Sequence, residues 1–99
     1  MPRITVFQEA APIETIQLAA GAVSIGRAPD NDVRLDDITL SAHHARIYTY
    51  FDTSYIEDVG STNGVFINGK RVKKHLIHPG DVVQLGKTQL RIEDDPRAA

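Results

Sequence analysis

The sequence contains no cysteine. This absence excludes disulfide frameworks, thiolate zinc sites, iron–sulfur clusters and cysteine nucleophiles. No apolar run approaches the roughly 18 residues of a membrane-spanning helix. The first residues carry no charged leader followed by a long apolar stretch. A cytoplasmic location without a membrane partner is therefore expected.

The sequence also lacks a basic excess. Eleven Lys and Arg residues stand against 13 Asp and Glu residues, which gives a net charge of −2 with His neutral. Proteins that bind nucleic acid non-specifically usually carry a positive excess, so this class is not favoured. One local run, KRVKK at 70–74, is basic and is typical of a solvated hairpin edge. Steering of an acidic ligand, or contact with nucleic acid, is its alternative role.

Helical periodicity is scarce, and apolar residues instead recur two apart in short segments. A chain of 99 residues favours one domain. Turn-forming residues separate the segments at close intervals, including two Asn-Gly pairs at 63–64 and 68–69, a strong hairpin signal. The pattern predicts an all-β sandwich or barrel. The apolar pairs are Ile4 and Val6, Ile16 and Leu18, Val23 and Ile25, Val33 and Leu35, Ala45 and Ile47, Val65 and Ile67, and Leu90 and Ile92.

Three groups of polar residues beside turns could bind a ligand. They are GR at 26–27, SAHH at 41–44 and GSTNG at 60–64. Arg and Ser side chains hydrogen-bond phosphoryl oxygens, and an Asn amide pairs with both N–H and C=O of an extended backbone. Together these residue types predict a site for a phosphate carried on a peptide.

The order and spacing of these groups resemble the forkhead-associated (FHA) domain, a β-sandwich that binds phosphothreonine peptides. The resemblance implies a two-sheet sandwich of about 10–11 short strands, as in FHA and SMAD domains, with recognition loops at one end. The domain is predicted over residues 1–93, with a flexible tail or the start of a linker at 94–99. The matching stretches, between roughly residues 23 and 92, are GR at 26–27, DVRL at 32–35, LSAHHA at 40–45, DVGSTNG at 58–64, NG at 68–69 and GDVVQLG at 80–86.

The resemblance also implies roles for individual residues. In the family, the Arg of the Gly-Arg pair and the Ser of the Ser-x-x-His motif contact the phosphate, which here means Arg27 and Ser41. The family's Asn that holds the ligand backbone corresponds to Asn63, with Thr62 beside it close to the phosphothreonine. The structural motif residues are Gly26, His44, Gly64 and Asn68.

One position departs from the family pattern. Many relatives carry Arg, Lys or Asn directly after the motif serine, whereas this chain has Ala42. His43 is therefore predicted as an auxiliary contact. The acids between the two phosphate contacts are expected to repel acidic ligands or to favour basic flanking residues; they are Asp30, Asp32, Asp36 and Asp37.

Catalytic and metal functions are not favoured by the residues. Ser41 beside histidines has neither a Gly-x-Ser-x-Gly elbow nor a placed acid, so no catalytic residue is predicted. His75 and His78 are three apart in a segment that is expected to be strand and turn, which does not bring them together as ligands. No metal site and no cofactor are predicted.

The predicted function is a non-enzymatic module that recognises phosphothreonine on a partner protein in kinase-dependent signalling or complex assembly. The alternative is an FHA-like module that binds an unphosphorylated partner surface, which Ala42 makes plausible. Nucleic-acid binding through residues 70–74 is a weaker alternative, and the oligomeric state is left open.

Overall fold

A computed structural model of the protein describes residues 2–94. Eleven short strands occur in this range, and none of its residues is helical. The all-β prediction is therefore confirmed, as is the strand number. The strands are β1 (Pro2–Gln8), β2 (Ala11–Gln17), β3 (Gly21–Gly26), β4 (Val33–Arg34), β5 (Ala45–Tyr50), β6 (Thr53–Asp58), β7 (Val65–Ile67), β8 (Lys70–Val72), β9 (Lys74–Ile77), β10 (Val82–Leu85) and β11 (Thr88–Asp94).

The strands form two sheets. One has six strands in the order β2-β1-β11-β10-β7-β8, and the other has five in the order β4-β3-β5-β6-β9. Strands β3 and β4 pair in parallel, and the other pairs are antiparallel. The chain changes sheet after β2, β6, β8 and β9, which places loops between the sheets.

The core lies between the two sheets and is built by the predicted alternation. In β1 and β11 every second residue faces inward, and in β5 and β6 the same holds for the opposing sheet. The loop between β4 and β5 adds two buried leucines, Leu35 at its start and Leu40 in its middle, which anchor it to the core. The sandwich therefore holds that loop rigidly at the edge of the core. The buried alternating residues include Ile4, Val6, Ala45, Ile47, Ile56, Leu90 and Ile92.

The two Asn-Gly pairs have different roles. Asn68-Gly69 joins β7 to β8, and both residues have positive φ, 51° and 87°, as a two-residue hairpin turn requires. Asn63-Gly64 lies where the chain crosses from β6 in one sheet to β7 in the other. The hairpin predicted at Asn63-Gly64 is therefore wrong, because a hairpin needs consecutive strands that pair with each other.

The basic run at 70–74 occupies edges of both sheets. It forms β8 at the edge of the six-stranded sheet and begins β9 at the edge of the five-stranded sheet. Its four basic side chains are exposed, and Lys74 packs over the Tyr55 ring at 4.7 Å. The prediction of a solvated edge is confirmed.

The two ends of the described chain lie side by side. Pro2 pairs with Asp94, so β11 includes the first residue of the predicted tail. Residues 95–99 of that tail lie outside the described residues. Within 2–94 there is no helix long and apolar enough to cross a membrane.

Candidate functional site

Three loops at one end of the sandwich surround a shallow cleft of about 350 Å³. They connect β3 to β4, β4 to β5, and β6 to β7. All four residues that the sequence predicts as ligand contacts line this cleft: Arg27, Ser41, Thr62 and Asn63. Ile38, Thr39 and Leu40 also line the cleft and were not predicted as contacts. Ala42, the position that departs from the family pattern, lines it as well.

Gly26 and Arg27 bring the first two loops together. The Arg27 N–H donates to the Ser41 carbonyl and the Ala28 N–H to the Ala42 carbonyl, each at 3.1 Å. A Cβ on Gly26 would lie 2.3 Å from the Ala42 carbonyl oxygen, so only glycine permits this approach. The Arg27 side chain is exposed beside the cleft.

The Ser41 side chain is held in position by the third loop. Its Oγ accepts a hydrogen bond of 2.9 Å from the Thr62 N–H. A hydroxyl has one donor and two acceptor positions, and this bond uses an acceptor position. The Ser41 hydroxyl proton is therefore available to an anion in the cleft.

His44 connects the second and third loops from inside the core. Its ring is fully buried, its Nδ1 lies 3.1 Å from the Ser41 N–H, and its Nε2 lies 2.8 Å from the Gly64 carbonyl oxygen. Because an N–H can only donate and a carbonyl can only accept, Nδ1 is the acceptor and Nε2 carries the proton. The geometry thus fixes His44 as a neutral ring with both nitrogens in use.

Asn63 is fixed by the loop opposite to it. Its Nδ2 donates to the Thr39 carbonyl at 2.7 Å. That bond occupies one of the two amide protons, and the side chain is exposed. Among residues 2–94, the amide oxygen and the second amide proton form no hydrogen bond, so both are available to a ligand.

An aspartate organises the loop that carries Thr62 and Asn63. Asp58 accepts the Gly60 N–H at 3.0 Å, the Ser61 N–H at 2.7 Å and the Ser61 hydroxyl at 2.9 Å. Partial burial favours the protonated form, but these hydrogen bonds outweigh it and lower the pKa of Asp58. The loop is therefore held by an ionised carboxylate.

A second aspartate fixes the loop between β4 and β5. Asp37 accepts the Thr39 N–H at 2.8 Å, the Thr39 hydroxyl at 2.6 Å and the Thr88 hydroxyl at 2.7 Å. Burial opposes ionisation here too, yet the bonds from Thr39 and Thr88 and the charge of Lys87 lower the pKa of Asp37. Thr39 is thereby fixed as the partner of Asn63.

His43 does not line the cleft. Its Nε2 lies 2.9 and 3.0 Å from the two carboxylate oxygens of Asp30, and both side chains are more than half exposed. The hydrogen bond from His43 lowers the pKa of Asp30. The predicted auxiliary phosphate contact is thus engaged with a carboxylate of the neighbouring loop.

Two further residues contact the loops: Asn31, which the sequence did not single out, and Arg71, which the sequence placed only in the basic run at 70–74. Asn31 is buried, and its Nδ2 donates to the carbonyls of Ala28 and Ala42 at 2.8 and 2.7 Å, which ties the first two loops together.

Arg71 lies against Gly64, where an added Cβ would be 2.7 Å from the Arg71 Nε, and the Arg71 guanidinium packs 6.0 Å from the centre of the Phe66 ring. It brings one charge of the basic run to the third loop. Only a strand register, which the sequence does not show, could have found this contact.

The cleft combines a cation, a hydroxyl proton and an amide, and no carboxylate from the described part of the chain lines it. This set suits a phosphate group attached to a peptide rather than a metal ion. Within residues 2–94, no cluster of three or more His, Asp or Glu residues could hold a metal ion.

The family model of the FHA domain matches residues 23–86. The chain belongs to the FHA family. It is 44% identical over 80 residues to the ABC transporter ATP-binding/permease protein Rv1747 of Mycobacterium tuberculosis, covering 81% of this chain and 9% of that protein. It is 39% identical over 75 residues to the glycogen accumulation regulator GarA of Mycolicibacterium smegmatis, covering 76% of this chain and 48% of that protein. The chain thus spans about half the length of GarA and much less of Rv1747.

The fold is likewise shared with solved FHA domains. An FHA domain with phosphothreonine-dependent interactions superposes with a TM-score of 0.86 at 28% identity, covering 96% of this chain and 97% of that one. The resemblance read from the motifs is therefore confirmed, together with the two-sheet sandwich. Recognition of phosphothreonine agrees with the family and with its regulatory member GarA.

Proposed function

We propose that the chain binds a phosphothreonine peptide of a partner protein in the cleft, with Arg27 and Ser41 as the phosphate contacts. The observation that carries this proposal is that both side chains line one cleft to which residues 2–94 contribute no carboxylate. Arg27 supplies a positive charge there, and Ser41 supplies a hydroxyl proton that its own loop contacts leave free.

The chemistry of the phosphate matches these two residues. Phosphothreonine carries about −1.5 to −2 charges near neutral pH and three acceptor oxygens. The planar guanidinium of Arg27 can pair with two of these oxygens, and the Ser41 hydroxyl with the third. Each such charge-assisted bond contributes about 1.5–3 kcal/mol. Two or three of them are enough to make binding depend on phosphorylation.

The peptide backbone is read by Asn63. Its bond to the Thr39 carbonyl sets the amide plane, so that the remaining N–H and C=O are aligned before the ligand arrives. Thr62 lies next to it, with its N–H on Ser41. This hydrogen bond supports the proposal, because it links the loop of the proposed backbone contact to the proposed phosphate contact. Ala42 adds no hydrogen-bond donor. The positive charge of Arg71, beside Gly64 in the third loop, is therefore more important for attracting the phosphate.

The proposed activity is binding and not catalysis. A serine nucleophile needs a base at its hydroxyl. His44 receives the Ser41 backbone N–H and donates to Gly64, so neither of its nitrogens serves the hydroxyl. The second neighbouring ring, His43, is paired with Asp30. We propose further that a kinase phosphorylates the partner protein and that binding takes place in the cytoplasm.

The test is isothermal titration of the chain with three peptides that differ only at one residue: threonine, phosphothreonine and phosphoserine. We expect the phosphothreonine peptide to bind at least about 100-fold more tightly than the threonine peptide, since the threonine peptide lacks all three charge-assisted bonds to Arg27 and Ser41. Equal affinities for these two would refute the proposal and favour an unphosphorylated partner surface. The phosphoserine peptide measures the contribution of the threonine methyl group.

A further inference from the structure

The five-stranded sheet packs one face on the core and turns the other, which we call the lateral face, toward solvent. All three tyrosines of the sequence lie on this face, Tyr48 and Tyr50 on β5 and Tyr55 on β6. They alternate with buried core residues such as Ile47 and Ile56, so their side chains point outward. Tyrosine is enriched at the contacts that dominate protein–protein binding. The lateral face therefore has the composition of a protein interface.

The apolar end of the lateral face lies away from the phosphate cleft. Tyr50 is 71% exposed and Phe51 is 78% exposed, and their ring centres lie 4.5 Å apart at the turn from β5 to β6. Leu76 on β9 is 47% exposed. These are three of the five large hydrophobic side chains that are exposed in residues 2–94. Grouped exposure of this kind is typical of an interaction surface.

Strand register arranges the lateral face in rows that cross the sheet. Residues two apart in a strand share a face, so each row takes one residue from each strand. We name two rows, each in the order β3, β5, β6 and β9. The charged row contains Ser24, Arg46, Glu57 and Lys74. The aromatic row contains Ala22, Tyr48, Tyr55 and Leu76.

Contacts within the face hold the centres of the two rows in place. The Tyr48 hydroxyl accepts from the Arg46 guanidinium at 3.2 Å and donates to the Glu57 carboxylate at 3.4 Å. The Tyr48 ring stacks on the Tyr55 ring, with 5.2 Å between their centres. The central cation and anion of the charged row cancel, which does not suit a polyanion such as nucleic acid. A protein surface with its own alternating charges suits this pattern better.

We propose that the lateral face binds the lateral face of a second copy of this chain, about a two-fold axis parallel to the strands and between β5 and β6. Such an axis places β5 opposite the partner's β6. Arg46 then lies opposite the partner's Glu57, and Tyr48 lies opposite the partner's Tyr55. Each of these contacts occurs twice, so the pattern is complementary to itself. The proposal does not depend on the proposed function.

Size and charge also match at the margins of this dimer, where β9 lies opposite the partner's β3. Leu76 lies opposite the partner's Ala22, a large side chain against a small one. Lys74 lies opposite the partner's Ser24. The Ser24 hydroxyl and N–H are bonded to the Asp32 carboxylate at 3.1 and 2.9 Å, so a carboxylate lies near this ammonium group.

The area of the face sets the strength of the dimer. Five strands spaced about 4.8 Å apart and about 20 Å long give a face of about 24 by 20 Å, below the roughly 800 Å² per partner of a standard stable interface. A weak dimer that depends on protein concentration is therefore expected. Because the axis is parallel to the strands, both phosphate clefts open at the same end of the dimer.

The test is sedimentation velocity of the full chain across the micromolar to millimolar range. We expect the weight-average mass to rise from that of one chain toward that of two. Arg46→Glu and Glu57→Arg should each abolish this rise, because each places like charges opposite one another. An equimolar mixture of the two variants should restore it. One variant then has two acids at these positions and the other has two arginines, so a mixed dimer pairs opposite charges at both contacts.

Matched variants on the other sheet control for charge and for loss of apolar surface. Arg91→Glu makes the same change of charge at an exposed arginine of β11 and should dimerise as the parent does. Leu76→Ser should weaken the dimer, whereas Ile13→Ser on β2, with 48% exposure against 47%, should not. Circular dichroism checks that each variant is folded. If a charge variant is not folded, the comparison of Leu76→Ser with Ile13→Ser decides.

Three results would overturn the dimer. A parent chain that stays monomeric refutes it and leaves the face to a different protein or, if the chain shifts a labelled single-stranded oligonucleotide, to nucleic acid. Self-association that folded Arg46→Glu and Glu57→Arg leave unchanged places the contact elsewhere on the chain. A mixture of the two folded variants that stays monomeric refutes the two-fold pairing of Arg46 with Glu57. Each of these results leaves the phosphate cleft as it stands.

Discussion

Replacing Arg27 by alanine tests the phosphate site most directly. The substitution removes the guanidinium and keeps the backbone N–H that donates to the Ser41 carbonyl at 3.1 Å. The side chain is exposed and forms no ion pair among residues 2–94. The fold therefore loses little. As for other surface substitutions, the unfolding free energy should change by less than about 0.5 kcal/mol.

The expected loss of binding follows from the charge-assisted hydrogen bonds proposed between Arg27 and the phosphate. Two charge-assisted hydrogen bonds have a nominal value of about 3–6 kcal/mol. Arg27 lies at an open cleft where water and salt compete, so a smaller effect is expected. We take about 2 kcal/mol, which corresponds to a loss of about 30-fold in affinity for the phosphothreonine peptide.

The assay is a double-mutant cycle in which the phosphate is the second partner. Parent and Arg27→Ala are titrated with the phosphothreonine peptide and with its threonine form. Arg34→Ala, an exposed arginine in the adjacent β4, controls for the change in net charge. The reasoning is refuted if Arg27→Ala binds the phosphopeptide as tightly as the parent, or if Arg34→Ala loses as much as Arg27→Ala does.

Three further predictions concern the loops around the cleft. Gly26→Ala should lower the unfolding free energy by about 1–3 kcal/mol in urea denaturation, because its Cβ would lie 2.3 Å from the Ala42 carbonyl oxygen; an unchanged midpoint would contradict this close approach. Asn63→Ala should weaken phosphothreonine and threonine peptides by a similar factor in titration, since it reads the backbone; a loss confined to the phosphopeptide would assign it to the phosphate. The lowered pKa of Asp58 means that its stabilisation is present above the unfolded value near 3.8 and is lost as pH falls through the folded-state pKa. The difference in Tm between the parent and Asp58→Asn should therefore shrink below about pH 4, and a difference independent of pH would show that the carboxylate charge is not what holds the loop.

Much of the fold could be predicted from alternation. Pairs such as Ile4 and Val6, or Ala45 and Ile47, are buried as their spacing indicates. Alternation identifies which face of a strand is inside, but it carries no information about which strand is its neighbour. An Asn-Gly pair therefore forms a hairpin turn at 68–69 but lies at a change of sheet at 63–64. Strand pairing distinguishes the two cases: β7 pairs with β8, whereas β6 pairs with β9 in the other sheet and not with β7.

The residue types of the candidate site could be predicted from the sequence, but the hydrogen bonds that fix those residues could not. Arg27, Ser41 and Asn63 are recognisable because their side chains have the donors that a phosphopeptide needs. The partners that fix them are mostly backbone groups, such as the Thr39 carbonyl on Asn63. Any residue offers a backbone carbonyl, so no residue type signals this contact. The pairing of His43 with Asp30 escaped prediction for a related reason, since it depends on two loops that meet only in the folded chain.

Ser41 shows how these contacts produce the function. Its backbone N–H is bound by His44, its carbonyl by the Arg27 N–H, and its Oγ accepts the Thr62 N–H. The hydroxyl proton is the one donor of this residue that the three loops do not use. In the proposed role of Ser41 as a phosphate contact, these bonds set the direction of the serine before the ligand arrives, which reduces the entropy lost on binding. The proposed recognition therefore also depends on the buried His44, which holds the Ser41 backbone N–H and the Gly64 carbonyl in place.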